Sequence, residues 1–420
     1  MKFSKHFFIL YGLLPLLILS PPPVVAGITD GIEKAEDGLA FVDDHLFLAS
    51  PNGWFRSDLS GLLDLETYYV DQRGPGLIFG DESFFGPRLS LFLDTHMGEH
   101  LYSLLQARFD RGFDPRSQKQ DARLDEYLLR YKPFKTGWVH FQIGKFATVV
   151  GNWVRRHDSW QNPFINAPVP YENVTIASDL SPPRDPQDFL LRRLSADRKA
   201  LWLPVIWGPA YTTGASVFGT LERFDYAFEV KNNSISSRPP FWTARQVRWR
   251  DPTVSGRLGY RPSPAWNLGT SFSLGTYLNE KARPSLPPGK DLDDYYQIMV
   301  GPDIEFAWRR WQVWSEAFWS RFEVPNAGNA DTLTYYVETR YKMTPRTFLA
   351  GRWNQQFFSQ IDDGAGGHKR WDRDLFRVDL SLVFRLSRHM QTKFQYSYSH
   401  QKGELQQGEN LFANQVTFKF

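Results

Sequence analysis

The sequence predicts an all-β protein, a transmembrane antiparallel β-barrel of about 16 strands with short periplasmic turns and long external loops. From about residue 59 to the C terminus, apolar and polar residues alternate, which is the pattern of strands with one apolar and one wet face. Many alternating segments are long enough to cross a bilayer, which takes about 9–11 tilted residues, whereas globular strands average five or six. The links between the segments are alternately short and long, as in outer-membrane barrels.

Residues 1–26 have the features of a secretory signal peptide. Lys2 and Lys5 precede the apolar run 7–19, and Val24-Val25-Ala26 offers small residues for cleavage before Gly27. The run is too short for a membrane-spanning helix. Its removal lowers the formal net charge from +3 to +1, because the segment contains two lysines and no acidic residue. A nearly neutral chain gives no electrostatic reason to expect nucleic acid as a partner.

Residues 27–57 are predicted to form a short N-terminal segment that lies in the periplasm or is tucked into the lumen. Ile32, Ala35, Leu39 and Phe41 give a weak helical stripe, which the turn residues after Pro51 end. The barrel itself is predicted to occupy residues 58–420.

Composition excludes several other classes of protein. There is no cysteine, so a secreted chain of this size depends on burial and hydrogen bonding rather than on disulfides. No apolar run of eighteen residues follows the signal peptide, which excludes a helical membrane protein. Aromatic residues make up 16% of the chain, and this excess suits a barrel with aromatic girdles at both membrane interfaces.

The links between strands give the strand count. Short links fall near residues 98–99, 134–135, 219, 262–264, 309–310, 344–345 and 387–388. Long polar links fall at about 71–83, 112–121, 147–200, 232–252, 279–294, 323–332, 359–372 and 401–410. Eight long links, each joining two strands, predict 16 strands with both chain ends on the side of the short turns.

The last ten residues form the clearest single strand. Phe412, Val416 and Phe418 fall on one face together with the terminal Phe420, and the other face is polar, with Gln415, Thr417 and Lys419. Ten residues alone are equally consistent with an amphipathic strand of a soluble sheet. The signal peptide, the strand lengths and the loop asymmetry favour the barrel, in which this strand pairs with the one near Leu59.

The chain resembles bacterial outer-membrane porins, both the general and the phosphate-selective ones. The similarity rests on the overall architecture, on Ile143-Gly144-Lys145-Phe146 before the longest loop, and on the closing strand. The resemblance implies location in the outer membrane of a Gram-negative-type bacterium, in contact with lipid and lipopolysaccharide, and a homotrimeric assembly. It also implies that Phe418 and Phe420 are the signal read by the barrel-assembly machinery, and that no cofactor is needed.

In such porins the third external loop folds into the lumen and narrows the pore, and residues 147–200 occupy the third position here. The resemblance therefore makes its charged residues candidates for the constriction: Arg155, Arg156, His157, Asp158, Arg184, Arg192, Arg193 and Arg198. The loop contains seven basic and six acidic residues, so the sign of any selectivity stays open. The alternative is that these charges only solvate an external loop.

A second set of candidates lies on the polar faces of the predicted strands. These pore-wall residues are Arg88, Arg108, Arg130, Arg223, Arg257, Arg352 and Arg377. They could create a field across the pore together with acidic residues on the opposite wall. The alternative is that they pair with neighbouring acids in a hydrogen-bonded lining that stiffens the barrel.

The sequence gives little support for an enzyme. His157-Asp158-Ser159 contains the residue types of a hydrolytic triad, but adjacent residues cannot assemble one, and no zinc-protease or phosphate-loop motif occurs. The function predicted is passive diffusion of small hydrophilic solutes, anions included, through a water-filled pore. The alternatives are substrate-specific uptake, polysaccharide export and envelope scaffolding.

Overall fold

A computed structural model describes residues 22–71, 83–110, 121–194, 201–244, 251–402 and 408–420. The predicted cleavage site after Ala26 lies within the described residues. Residues 1–21 of the predicted signal peptide lie outside them, as does Arg198. Within these ranges sixteen antiparallel strands form one closed barrel, which confirms the predicted fold class and strand count. The strands are β1 Phe55–Val70, β2 Ser83–Met97, β3 Leu101–Asp110, β4 Asp121–Tyr131, β5 His140–Phe146, β6 Thr212–Leu221, β7 Phe224–Lys231, β8 Thr253–Ser263, β9 Trp266–Thr276, β10 Tyr296–Trp308, β11 Trp311–Val324, β12 Gly328–Lys342, β13 Thr347–Phe358, β14 Leu375–Arg385, β15 Met390–Gln401 and β16 Glu409–Lys419.

The first and last strands close the ring. β1 pairs with β16 in a register that runs from Leu62 opposite Lys419 to Val70 opposite Leu411. Two backbone hydrogen bonds between Gly61 and Phe420, of 2.8 and 3.1 Å, extend this pairing to the last residue. The predicted partner of the closing strand is therefore confirmed.

The faces of the strands also follow the predicted alternation. On β16 the side chains of Gln415 and Thr417 are buried in the interior, whereas Val416 and Phe418, at the alternate positions, lie on the outer face. Large apolar side chains are exposed around the barrel, among them Phe141, Ile143, Leu258, Trp308, Leu349 and Leu380. A wall with an apolar outer face and a polar interior is expected for strands between lipid and water.

Two predicted loop boundaries are wrong. The link at 323–332 is a three-residue turn between Val324 and Gly328, because β11 and β12 continue to pair up to these residues. The turn takes Asn326 and Gly328 into positive φ, which Gly and Asn tolerate best. The third loop runs from residue 147 to residue 211 instead of ending at 200, since β6 begins at Thr212.

The N-terminal segment lies at the short-turn end of the barrel. Helix α1 spans Pro22–His45, and the short strand Phe47–Ala49 pairs with the start of β1. Glu36 of α1 accepts hydrogen bonds from the Ser387 hydroxyl and, at 3.2 Å, from Arg388. Both partners belong to the turn between β14 and β15. In the described ranges no helix is long and apolar enough to cross a membrane.

The long-loop end of the barrel encloses a dry core that the sequence did not reveal. Phe189, Trp207, Trp242 and Trp371 come from three different loops and are fully buried in one hydrophobic cluster. Ends of β11, β12 and β13 complete it through Phe322, Val324, Ala330 and Phe358. The aromatic residues therefore lie in two places. Some are exposed on the outer face of the barrel, and others form this core inside the long-loop end.

Candidate functional site: a lumen narrowed by the third loop

The first part of the third loop (147–211), residues 147–172, lies inside the barrel. The backbone N–H of Gly151 donates to Ser271 Oγ on β9 at 3.0 Å, and that of Ile165 donates to Gln395 Oε1 on β15 at 2.6 Å. Ser381 on β14 donates to the carbonyl of Pro163 at 2.7 Å. These wall side chains point inward, so the loop crosses the lumen from β9 to β15.

Glu316 on β11 is the first anchor of the loop. Its buried carboxylate accepts hydrogen bonds from the backbone N–H groups of Asn152 and Trp153, and from Tyr171 Oη at 2.7 Å. Gly151 is required for this close approach. It adopts a φ of +74°, and a Cβ there would lie 2.4 Å from Tyr171 Oη and 2.6 Å from Glu316 Oε1. The loop segment Gly151-Asn152-Trp153 is thus held against Glu316 on β11.

Arg156 forms the second anchor. Its guanidinium donates to Glu338 on β12 and, at 3.2 Å, to Tyr336 Oη, and it stacks 4.3 Å above the ring of Trp314. The side chain is buried, and its charge is compensated by the carboxylate. Arg156 was predicted to be a pore-narrowing charge, but it fastens the loop instead, because a buried guanidinium needs its partner.

A third anchor joins the loop to β13 and β14. Arg352 Nη2 donates to Asn166 Oδ1 at 2.5 Å, and Arg377 donates to Glu172 and to the carbonyl of Ala167. Burial raises the pKa of Glu172 above its usual range, while the two arginines act in the opposite direction.

His157 ties the start of the loop to its end. Nδ1 lies 2.5 Å from the carbonyl oxygen of Val154, and Nε2 lies 2.5 Å from Tyr211 Oη. Burial lowers the pKa of His157, so the neutral imidazole is favoured. A carbonyl can only accept, so Nδ1 carries the proton and Nε2 accepts from the tyrosine hydroxyl. His157 is thus a neutral link rather than a pore charge.

Beside the loop, a cavity of about 260 Å³ remains against β1–β4 and β16. Loop residues 157–161 form one side of this passage cavity and the barrel wall forms the other. Six charged side chains line it: the acids Asp64, Glu126 and Asp158, and the bases Arg88, Arg108 and Lys419. Trp160 adds an aromatic ring, 5.7 Å from Lys419 Nζ and 5.6 Å from the Arg385 guanidinium. The cavity is therefore lined by charged side chains of both signs together with apolar ones.

Most of the predicted wall arginines lie inside the barrel, where they are paired. Arg88 bridges Asp64 at 2.9 Å and Glu66 at 2.6 Å. Arg108 bridges Asp110 at 3.0 Å and Asp125 at 3.3 Å. The partners of the others are Gln142 for Arg130, Asp225 and Asp303 for Arg257, Asp379 and Glu338 for Arg352, and Glu172 and Asp379 for Arg377. These contacts favour the pairing alternative over a row of uncompensated charges.

Arg223 departs from this pattern. It is exposed in the two-residue turn between β6 and β7, where Nη1 donates to the carbonyl of Pro262 at 3.4 Å. The prediction that it lines the wall is wrong, since the strand begins one residue later, at Phe224.

The remaining loop candidates lie in two different places. Arg155 is half exposed within the lumen, 3.6 Å from Asp225 on β7. Arg184, Arg192 and Arg193 flank the short helix Pro186–Leu191 instead, where the first two pair with Asp188. Arg193 donates to the carbonyl of Arg370 in the loop between β13 and β14 at 3.0 Å. These three arginines are outside the passage cavity, whereas His157 and Asp158 line it.

Several residues that shape the lumen were missed as site residues. Tyr171, Asn166 and Tyr211 carry no motif, because their partners are distant in sequence. Glu316, Glu338 and Asp379 could be placed on inward faces by alternation, but not as loop anchors. In the part of the chain that the structure covers, no three His, Cys, Asp or Glu side chains are grouped so as to hold a metal ion.

Neither a protein-family model nor a curated protein matches the sequence. Solved structures match by fold. An anion-selective porin from Comamonas acidovorans is 10% identical with a TM-score of 0.55, over 87% of this chain and 100% of that one. The outer membrane channel DcaP of Acinetobacter baumannii is 10% identical with a TM-score of 0.53, over 89% and 99%. OmpT of Vibrio cholerae in its trimer form is 11% identical with a TM-score of 0.54, over 87% and 99%.

The fold defines the structural class: this chain has the sixteen-stranded β-barrel fold of solved outer-membrane porins. The sixteen-stranded closed barrel and the structural neighbours agree on this class. Identities of about one residue in ten show a shared fold alone and do not define the solute.

Proposed function

We propose that the protein is an outer-membrane porin through which small hydrophilic solutes diffuse passively, without a chemical step and without a cofactor. The observation that carries this proposal is the passage cavity, lined by charged side chains of both signs, beside a loop that is fastened inside the barrel. A polar lumen replaces the hydration of a small solute, while the apolar outer wall faces lipid.

Weak charge selectivity is the second part of the proposal. The passage cavity is lined by three acidic and three basic side chains, and Arg88 and Arg108 are each paired with two wall carboxylates. A preference for anions would need an excess of uncompensated basic groups at the narrowest section. The lining supports permeation by both ions of a salt.

Passive diffusion of small solutes is favoured over polysaccharide export by the dry core at the long-loop end. Trp207, Trp242 and Trp371 are completely buried there, in contact with strand ends from β11 to β13. This packed cluster occupies space that a polymer chain in an extended lumen would need. Envelope scaffolding alone would give no reason for a charged cavity inside the barrel.

We also propose a homotrimer in the outer membrane, surrounded by lipid and lipopolysaccharide and inserted by the barrel-assembly machinery. The trimer form of the Vibrio cholerae OmpT fold supports this assembly. Cross-linking of the purified protein in mild detergent should give a ladder that ends at three subunits. A single subunit under the same conditions would contradict the trimer.

Planar-bilayer recording of the refolded full chain tests the channel. Stepwise conductance is expected, with a reversal potential close to zero under a salt gradient. The control is the same preparation after heat denaturation. A barrel shown to be folded by its heat-dependent mobility on gels, but passing no ions, would overturn the proposed function.

A further inference from the structure

We infer that the passage cavity is a subsite for small zwitterions, molecules that carry one carboxylate and one ammonium group, such as neutral α-amino acids. The inference rests on the proposed function and names its preferred class of solute. The observation behind it is that, among the described residues, some charged groups of the cavity have donor or acceptor atoms without a protein partner.

Two of the three acidic groups of the cavity retain unused acceptor atoms, whereas both oxygens of Asp64 accept hydrogen bonds, from Thr417 and Arg88. Asp158 Oδ1 accepts from the backbone N–H groups of Trp160 at 2.9 Å and Gln161 at 2.8 Å. Glu126 Oε1 accepts from the N–H of Ala147 at 2.8 Å. Among the described residues neither Asp158 Oδ2 nor Glu126 Oε2 has a partner. Both carboxylates are therefore held in place by one oxygen and can receive an ammonium group with the other.

Two of the three basic groups, Arg88 and Lys419, retain donors in the same way. Arg88 engages Asp64 and Glu66 through Nε and Nη2, while its Nη1 has no partner in the described ranges. Lys419 is exposed and forms no ion pair there; its Nζ lies over the ring of Trp160 at 5.7 Å. A guanidinium N–H and an ammonium are suitable donors to a carboxylate.

Both kinds of group line one cavity, which is large enough for a solute. A volume of about 260 Å³ exceeds the roughly 150 Å³ of a protein cavity that holds benzene. A singly charged solute would satisfy one set of groups and be repelled by the other. A zwitterion satisfies both sets at once and carries no net charge, so its entry leaves the electrostatic balance of the lumen unchanged.

Three solutes of nearly equal size separate these contributions. L-Glutamine is a zwitterion, its α-amide lacks the carboxylate, and 4-carbamoylbutanoate lacks the ammonium group. Swelling rates of proteoliposomes that contain the full-length protein should be several-fold higher for glutamine than for either analogue. Equal rates for all three solutes in a conducting channel would overturn the subsite and leave the proposed function standing. A folded protein without conductance or swelling would overturn the proposed function instead.

Two substitutions test the assignment of residues. D158N and E126Q each remove a negative charge but keep the oxygen that accepts the backbone hydrogen bonds, so the loop conformation is retained. Each should reduce the glutamine rate several-fold and leave the 4-carbamoylbutanoate rate equal or higher. D293N makes the same chemical change in the loop between β9 and β10, away from the cavity, and should change nothing. An undiminished glutamine advantage in both D158N and E126Q would refute the inference.

Discussion

Arg352 on β13 and Asp379 on β14 form an ion pair of 2.8 Å, and neither side chain is exposed to solvent. The same guanidinium donates to Asn166 of the third loop and approaches Glu338 on β12 to 3.4 Å. One arginine thus joins three strands and the loop. In this barrel the inward charges of β12–β14 hold the constriction in place, and they are not available to attract solutes.

Replacing Arg352 with Met should strongly destabilise the barrel. The change leaves Asp379 and Glu338 with less compensation in a buried site, and breaking a buried pair from one side costs about 3–5 kcal/mol. Asp379 keeps its ion pair with Arg377 at 3.1 Å. The expected loss in the free energy of unfolding is therefore about 3 kcal/mol. Urea unfolding in detergent, followed by tryptophan fluorescence, measures it. R184M, at a side chain that is 86% exposed, should stay within about 0.5 kcal/mol of wild type. An equally small effect for R352M would show that the pair is dispensable.

Replacing Arg155 with Gln should shift ion permeation toward cations. Arg155 is half exposed in the lumen and lies 3.6 Å from Asp225, which keeps its closer ion pair with Arg257. Removing Arg155 therefore takes one positive charge out of the lumen. The reversal potential under a potassium chloride gradient should move by a few millivolts in the cation-selective direction.

R184Q is the matched control for R155Q, because Arg184 belongs to the same loop but lies outside the passage. It should leave the reversal potential unchanged. A shift of the same size in both variants would mean that the charge of the whole loop, rather than its lumenal part, sets permeation.

The architecture could be predicted from the sequence because it depends on a local pattern. Alternation fixed which residues of β1 and β16 face inward, and the spacing of the links gave sixteen strands. The signal failed at the turn 325–327, where polar residues such as Asn329 and Asp331 continue a paired strand and were interpreted as a loop. Polarity alone does not separate a loop from the interface end of a strand.

The site could be predicted only in part, because it depends on contacts between distant residues. The position of the third loop along the chain predicts a segment inside the lumen, and in the structure Asp158 and His157 line the cavity. Nothing in the sequence indicates that Arg156 meets Glu338, which is 182 residues away, or that Arg193 lies at the outer loops. An arginine on a loop looks the same in sequence whether it is paired or free.

The third loop should become less firmly held as the pH falls below about 6.5, the usual pKa of histidine. Burial lowers the pKa of His157 in the folded chain, so the unfolded loop binds a proton more readily. Stability from this group is therefore complete above that pH and is lost below it. Asp158 and Asp125 favour the charged imidazole and Arg108 disfavours it, but burial outweighs them. Current fluctuations should increase between about pH 7.5 and about pH 5.

His157→Asn is the control for this pH effect, since its amide can still donate to the carbonyl of Val154 but does not titrate. Its current fluctuations should be the same at both pH values. Fluctuations that increase equally in wild type and H157N on acidification would assign the effect to other groups.

The contact between Gly61 and the Phe420 ring should stabilise the closure of the barrel. A Cβ on Gly61 would lie 2.4 Å from Cζ of the Phe420 ring, so Gly61→Ala forces the terminal ring out of its place on the seam. Overpacking of this kind costs about 1–3 kcal/mol, and the folded fraction after refolding into micelles should fall. Gly351→Ala is the matched control, because its nearest neighbour would be Leu380 Cδ2 at 3.8 Å, an ordinary contact.

A double-mutant cycle separates this steric effect from the loss of the aromatic ring. Phe420→Ala should reduce assembly more than conductance, because the ring lies at the β1–β16 seam where the barrel closes. In the Phe420→Ala background, Gly61→Ala should be nearly neutral, since the ring that it displaces is already absent. Additive losses in the double variant would show that Gly61 is needed for a reason other than Phe420. A folded fraction of the double variant equal to that of Phe420→Ala would show that Gly61 acts through its contact with Phe420.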